Sequence, residues 1–171
     1  NTTSNTGTLV GKVALVTGGS RGIGAAIARR LAAAGAAVAI TYANGAERAA
    51  AVVQEIAAKG GRALAIQADS ADEAAVREAV ESTVRGLGRL DVLVNNAGML
   101  AMAPLAEFSL ADFDRMVATN VRAVFVATQA AVKHMVAGSR IITIGSVNAE
   151  RLPFAGGGSG GAGQGAGRRG G

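Results

Sequence analysis

Residues 12 to 31 confine this chain to a narrow set of folds. Lys12-Val13-Ala14-Leu15-Val16 is an apolar, partly β-branched run that stops at a glycine cluster, so it reads as a buried strand. Thr17-Gly18-Gly19-Ser20-Arg21-Gly22-Ile23-Gly24 follows. An Ala-rich stretch comes next, with Ile27 and Leu31 four apart as on one helix face. Glycines at 18, 22 and 24 let the turn tighten, let phosphates approach the backbone and let the helix pack on its strand. The helix N-terminus adds free N–H groups and a positive dipole end, which suits the loop to a dinucleotide pyrophosphate.

Arg21 sharpens that reading. A cation at the start of a helix opposes the helix dipole, and a phosphate would account for it. The second strand, Ala37 to Tyr42, runs into Ala43-Asn44 with no acid at its tip. An acid there would bind a ribose 2′-hydroxyl, whereas a nearby arginine accommodates a 2′-phosphate, so NADP(H) is favoured over NAD(H). A solvated surface charge is the competing reading of Arg21.

Strand-like and helix-like segments alternate through the rest of the chain. A helix from Ala46 to Lys59 ends at Gly60-Gly61, and Arg62 to Gln67 form strand three. Ser70-Ala71-Asp72-Glu73 resembles a capping box that opens a helix to Leu87. Asp91 to Asn95 is strand four. Ser109 caps a long helix to Val136, with Phe113, Met116, Val117 and Val121 at helical spacing, and Ile141 to Gly145 is strand five. The pattern predicts an α/β fold, a Rossmann-like doubly wound parallel sheet with helices on both faces. It divides the chain into a polar arm (1–8), a dinucleotide-binding domain (9–155) and a Gly-rich tail (156–171). Ten of the last 16 residues are Gly and none is large and apolar, so the tail is expected to be disordered.

Composition removes several function classes. With no cysteine and one histidine there are no disulfides or thiolate metal sites, and a reducing cytoplasm is the expected setting. The net charge of +5 is modest, two of the 17 cations lie in the last four residues, and no basic cluster is interleaved with aromatics. Nucleic acid is therefore not an expected partner. Neither the polar start nor any uninterrupted apolar stretch predicts a membrane segment.

From about residue 9 to 155 the order of motifs resembles the short-chain dehydrogenase/reductase family, closest to its ketoacyl-reductase-like members. The carriers are the Thr-Gly-x-x-x-Gly-x-Gly loop, Asp69 after strand three, Asn95-Asn96-Ala97-Gly98 after strand four, Asn120 in the long helix and Ser146 after strand five. The resemblance implies hydride transfer between a nicotinamide and a carbonyl or alcohol. It places Gly18, Gly22, Ile23 and Gly24 around the pyrophosphate, and Ser20, Arg21 and Asn44 near the 2′-phosphate. Asp69 falls at the adenine, Ser70 beside it is a further cofactor contact, and Asn96, Ala97 and Gly98 fall at the nicotinamide ribose. Ser146 would polarise the substrate carbonyl and Asn120 would hold a water in a proton relay. Met99, Leu100, Leu152 and Phe154 suggest an apolar approach. On residues alone, Asp69 is equally an acid at the start of a helix, the asparagines an ordinary turn, and Ser146 a strand-end serine.

The family's proton donor is a tyrosine with a lysine four residues later, which lowers its pKa. Its expected positions hold Ser159 and Gly160, with Gly163 and Gln164 where the lysine belongs. The only tyrosine is Tyr42 and the last lysine is Lys133. The chain as it stands is thus expected to be catalytically incomplete, to leave an apolar sheet edge uncovered, and to be unstable or to associate. An engineered linker, a shifted reading frame and a piece of a longer chain are three open origins for the tail. The leading reading is an NADP(H)-dependent oxidoreductase; the resemblance further implies a homo-oligomer if the full family fold is present, assembled through the long helix and the helix after strand five, of which only the long helix is found here. A non-catalytic NADP(H)-binding or regulatory module is the alternative, and an RNA-contacting tail is a weaker third. His134 is expected on the surface of the long helix.

Overall fold

Along each strand, successive side chains sort onto opposite faces of one sheet. In a computed structural model, which describes residues 7–146, the described strands are β1 (Val13–Val16), β2 (Ala37–Tyr42), β3 (Ala63–Gln67), β4 (Val92–Asn95) and β5 (Arg140–Thr143). They run parallel in the order β3-β2-β1-β4-β5. Leu15 lies level with Ala39 on one side and Leu93 on the other. These three face the helices α3 (Glu73–Leu87) and α5 (Ala123–Ala131), packing with Val76, Val80, Val126 and Ala130. Ala14, Val16, Val38, Ile40, Val92 and Val94 face the other way, against α1 (Gly22–Ala33) and α2 (Ala46–Ala58).

Small residues set how closely α1 approaches the sheet. Its buried positions are Gly24, Ala25, Ala28 and Ala32. A Cβ on Gly24 would stand 2.4 Å from the Gly18 carbonyl oxygen and 2.5 Å from Asn96 Nδ2, so only glycine fits there. Because the chain passes from β3 to β4 on the far side of β1, neighbouring loops diverge at the C-terminal ends of β1 and β4. A crevice at such a switch point is where α/β sheets receive ligands.

At the opposite end of the sheet, Asp91 is 3% exposed. It accepts from Val13 N at 2.9 Å, from Lys12 Nζ at 3.2 Å and from Arg89 Nε and Nη2 at 2.8 and 2.7 Å. Burial opposes its ionisation, but the bonds from Arg89, Val13 and Lys12 outweigh it and hold the carboxyl below its ordinary value.

Several expected boundaries move. Asp72, not Ser70, caps α3, because its carboxylate takes two orphan N–H groups, of Ala74 at 2.8 Å and Ala75 at 3.2 Å. Ser109 does cap the long helix through Asp112 N, but that helix has three parts: α4 (Leu110–Val117), a π turn (Ala118–Arg122) and α5. It ends at Ala131 rather than Val136, since Lys133 and His134 close tighter bonds to Ala130 and Ala131. His134 is accordingly half-buried in a turn, with Nε2 3.0 Å from Glu81. Strand five begins one residue early and its ladder stops at Thr143, although Ile144 N still donates to Asn95 O at 2.9 Å.

The uncovered apolar face expected at β5 is present among the described residues. Ile141, Ile142 and Ile144 are exposed, as are Leu110 (80%), Phe113, Val117, Val121 and Phe125 (63%) at spacings of three and four along the long helix. No helix of the described residues is long and apolar enough to cross a membrane.

Candidate functional site

A cavity of about 600 Å³ opens at the C-terminal ends of the strands. One wall is the β1–α1 loop, through Gly18, Ser20, Arg21, Gly22, Ile23 and Gly24. A second comes from the end of β2, through Thr41, Tyr42, Ala43 and Asn44. The β3–α3 loop adds Ala68, Asp69 and Ser70, and the segment after β4 adds Asn96, Ala97, Gly98 and Met99. All twelve residues expected to contact the cofactor thus line one space. Sequence reasoning missed Arg48, Arg115 and Thr119, which also line it. Arg48 had a signal, a cation in the first turn of α2, the anomaly that singled out Arg21.

The glycine loop is fastened to both neighbouring strands. Gly18 N donates to Thr41 Oγ1 at 3.0 Å, and Gly19 N to Thr41 O at 2.9 Å. From the other side, Thr17 Oγ1 accepts from Asn96 N and Ala97 N, both at 3.0 Å. Asn96 Nδ2 donates to Thr17 O at 2.9 Å and to Gly18 O at 3.2 Å. The Asn96 amide nitrogen therefore braces the loop, leaving contact with a ligand to its other atoms. Within this frame α1 begins with no side-chain cap and no acid in its first turn. Its N–H groups are left for an anion. By contrast, α3 and α4 are capped by Asp72 and Ser109.

Charges divide across the cavity. Asp69 accepts from Ala71 N at 2.9 Å and pairs with Arg115 Nη2 at 2.9 Å. The backbone bond from Ala71, then the Arg115 guanidinium, holds its carboxyl below the ordinary carboxylate value. Asp69 is thereby an ionised acceptor facing the cavity. Arg21, at the cap position of α1 with extended backbone, is exposed and has no carboxylate partner among the described residues.

Asn120 and Ser146 do not line this cavity. Asn120 lies in the π turn, where Oδ1 accepts from Met99 N at 2.9 Å and Nδ2 donates to Met99 O at 2.8 Å. It pins the segment leaving β4, and a Cβ on Gly98 would stand 3.5 Å from its Oδ1. Ser146 is exposed just beyond β5, at the same end of the sheet. Leu100 is exposed nearby, whereas Leu152, Phe154, the tail from 156, and positions 159, 160, 163 and 164 lie outside the described residues. No cluster of three potential metal ligands occurs among the described residues.

The arrangement has close counterparts. The family model described as short chain dehydrogenase matches residues 12–167. An uncharacterized oxidoreductase of Methylorubrum extorquens is 50% identical over 139 residues, covering 81% of this chain and 56% of the relative. A hydroxynaphthalene reductase of Aspergillus fumigatus is 45% identical over 141 residues, covering 82% and 52% respectively. A short chain dehydrogenase from Burkholderia cenocepacia, solved in complex with NADP, superposes with a TM-score of 0.89 at 57% identity. That match covers 92% of this chain and 64% of the other. The chain spans just over half the length of these curated relatives.

Proposed function

The chain belongs to the short-chain dehydrogenase/reductase family, and we propose that its cavity holds NADP(H) for hydride transfer to or from a carbonyl or alcohol. The observation that carries this reading is the uncapped N-terminus of α1, framed by Gly19 and Gly24, where a Cβ would stand 2.6 and 2.4 Å from its nearest atoms, and flanked by Arg21, which has no carboxylate partner among the described residues. Gly18, Gly22, Ile23 and Gly24 would take the pyrophosphate, and Ser20, Arg21 and Asn44 the 2′-phosphate. Asp69 and Ser70 would hold the adenosine end, and Asn96, Ala97 and Gly98 the nicotinamide ribose. The bound dinucleotide would supply the hydride. The superposing dehydrogenase from Burkholderia cenocepacia, solved with NADP, supports the choice of cofactor.

For the substrate, Ser146 would donate a hydrogen bond to the carbonyl oxygen, where charge develops during reduction. Asn120 would act through Met99, holding the wall of the cavity in register. Residues 1–171 contain no tyrosine near Ser146, since Tyr42 belongs to the β2 wall. That observation favours a second reading, a module that binds NADP(H) without turning it over. The apolar row from Leu110 to Phe125 would pair with a second copy, giving a homo-oligomer of the kind the long helix builds in this family. The reaction has a cytoplasmic setting in this proposal.

Calorimetry of NADPH binding, with NADPH consumption followed on the same sample of confirmed intact mass, tests the proposal. Binding with turnover supports the oxidoreductase, binding without turnover supports the module, and no binding removes both.

A further inference from the structure

Arg48 has no part in the site as assigned from sequence. It is the third residue of α2, where a cation opposes the helix dipole and gains nothing from its own helix. No carboxylate lies within ion-pair distance of it among the described residues. Its guanidinium instead folds back over Gly45, the residue that precedes α2. A Cβ on Gly45 would stand 2.5 Å from Arg48 Nη2, 2.8 Å from Cζ and 3.0 Å from Nε. Gly45 also has a φ of 84°, in the left-handed region. Glycine there both permits the backbone turn and leaves the guanidinium its space.

The cavity that Arg48 lines is the one that Arg21 and Asn44 line. Two arginines without carboxylate partners thus reach one cavity from two helix starts, α1 and α2. The acid at the cavity, Asp69, is already paired with Arg115. The pyrophosphate needs are met at the α1 N-terminus, so the two guanidinium groups call for a second, more highly charged anion. A phosphomonoester carries a charge of roughly −1.5 to −2 near neutral pH and offers three acceptor oxygens. The planar fork of an arginine matches that geometry better than an ammonium.

We propose that Arg48 is a specificity-determining residue for the 2′-phosphate, forming a two-arginine clamp with Arg21 that the missing side chain of Gly45 makes possible. This rests on the NADP(H) reading of the cavity. Arg48 is exposed, so its replacement leaves the sheet and both cores untouched.

The test measures affinity for NADPH, NADH, 2′,5′-ADP and 5′-AMP by calorimetry, in the wild type, Arg48→Gln, Arg48→Lys and Arg21→Gln. The expected result for Arg48→Gln is a loss of about tenfold or more for the two 2′-phosphorylated ligands, with the other two unchanged. Arg48→Lys should recover part of that loss, because it restores charge but not the fork. A wild type that binds NADH as tightly as NADPH defeats the cofactor reading itself, before Arg48 is tested. Given wild-type discrimination, an unchanged NADPH-to-NADH ratio in Arg48→Gln beside a collapsed one in Arg21→Gln overturns the clamp. An equal loss for all four ligands also overturns it, since that is the mark of a merely structural arginine.

Discussion

Gly24→Ala is the substitution in which fold and site are most tightly joined. The added methyl would stand 2.4 Å from Gly18 O and 2.5 Å from Asn96 Nδ2, about 1 Å inside ordinary contact. Neither neighbour yields easily. One is backbone in the glycine loop, and the other is the amide that donates to Thr17 O at 2.9 Å and to Gly18 O at 3.2 Å. Overpacking of this kind costs about 1–3 kcal/mol. Losing the Asn96 to Gly18 bond adds roughly 1 kcal/mol. Alanine's better helix propensity returns at most about 1 kcal/mol. The net expectation is a destabilisation of about 2 kcal/mol, together with displacement of the α1 N–H groups. Urea unfolding should show a lower midpoint at unchanged slope, and calorimetry a weaker NADPH affinity. Gly145→Ala is the control, because its Cβ would meet nothing within 4 Å. If Gly24→Ala matches the wild type in both midpoint and affinity, the steric account of this loop is wrong.

Three further outcomes are expected. Asp91→Ala removes the acceptor of the buried Val13 N–H and the partner of the half-exposed Lys12 and Arg89, and should cost about 1–3 kcal/mol by urea unfolding. Because the Asp91 carboxyl is held below its ordinary value when folded, its contribution is present above the unfolded pKa of about 3.9 and is lost as pH falls through the lower folded value. The wild type, but not Asp91→Asn, should show that component in acid-unfolding curves. Asn120→Ala frees Met99 from both bonds and should speed amide hydrogen exchange at Met99, with α3 unaffected. Phe125→Asp, on the exposed apolar row, should lower the mass seen by light scattering without unfolding the chain.

The sheet was legible because each strand is a short apolar run closed by glycine or a polar residue, and because β1, loop and α1 are contiguous. Local chemistry therefore located the cavity's glycine wall, Arg21 and Asn44, whereas Asp69 was reached only through the family resemblance. What escaped was long-range or cooperative. Arg115 reaches Asp69 across 46 positions of sequence, a pairing no local pattern reports. The π turn at Ala118–Arg122 interrupts a row of apolar residues that reads as one continuous helix. The cap of α3 was misplaced by two residues, because Ser70 and Asp72 are both competent caps and tertiary placement decides between them. The apolar spacing of Phe113, Val117 and Val121 signalled a helix but not which way it faces, and the structure leaves that row exposed.

A crystal structure of this chain grown with NADP⁺ would show directly whether the cavity holds the dinucleotide. The pyrophosphate should lie on the N–H groups of Gly22, Ile23 and Gly24, the adenine beside Asp69, and the 2′-phosphate on the Arg21 and Asn44 side. A dinucleotide bound elsewhere, or a 2′-phosphate turned away from Arg21, would contradict the NADP(H) reading.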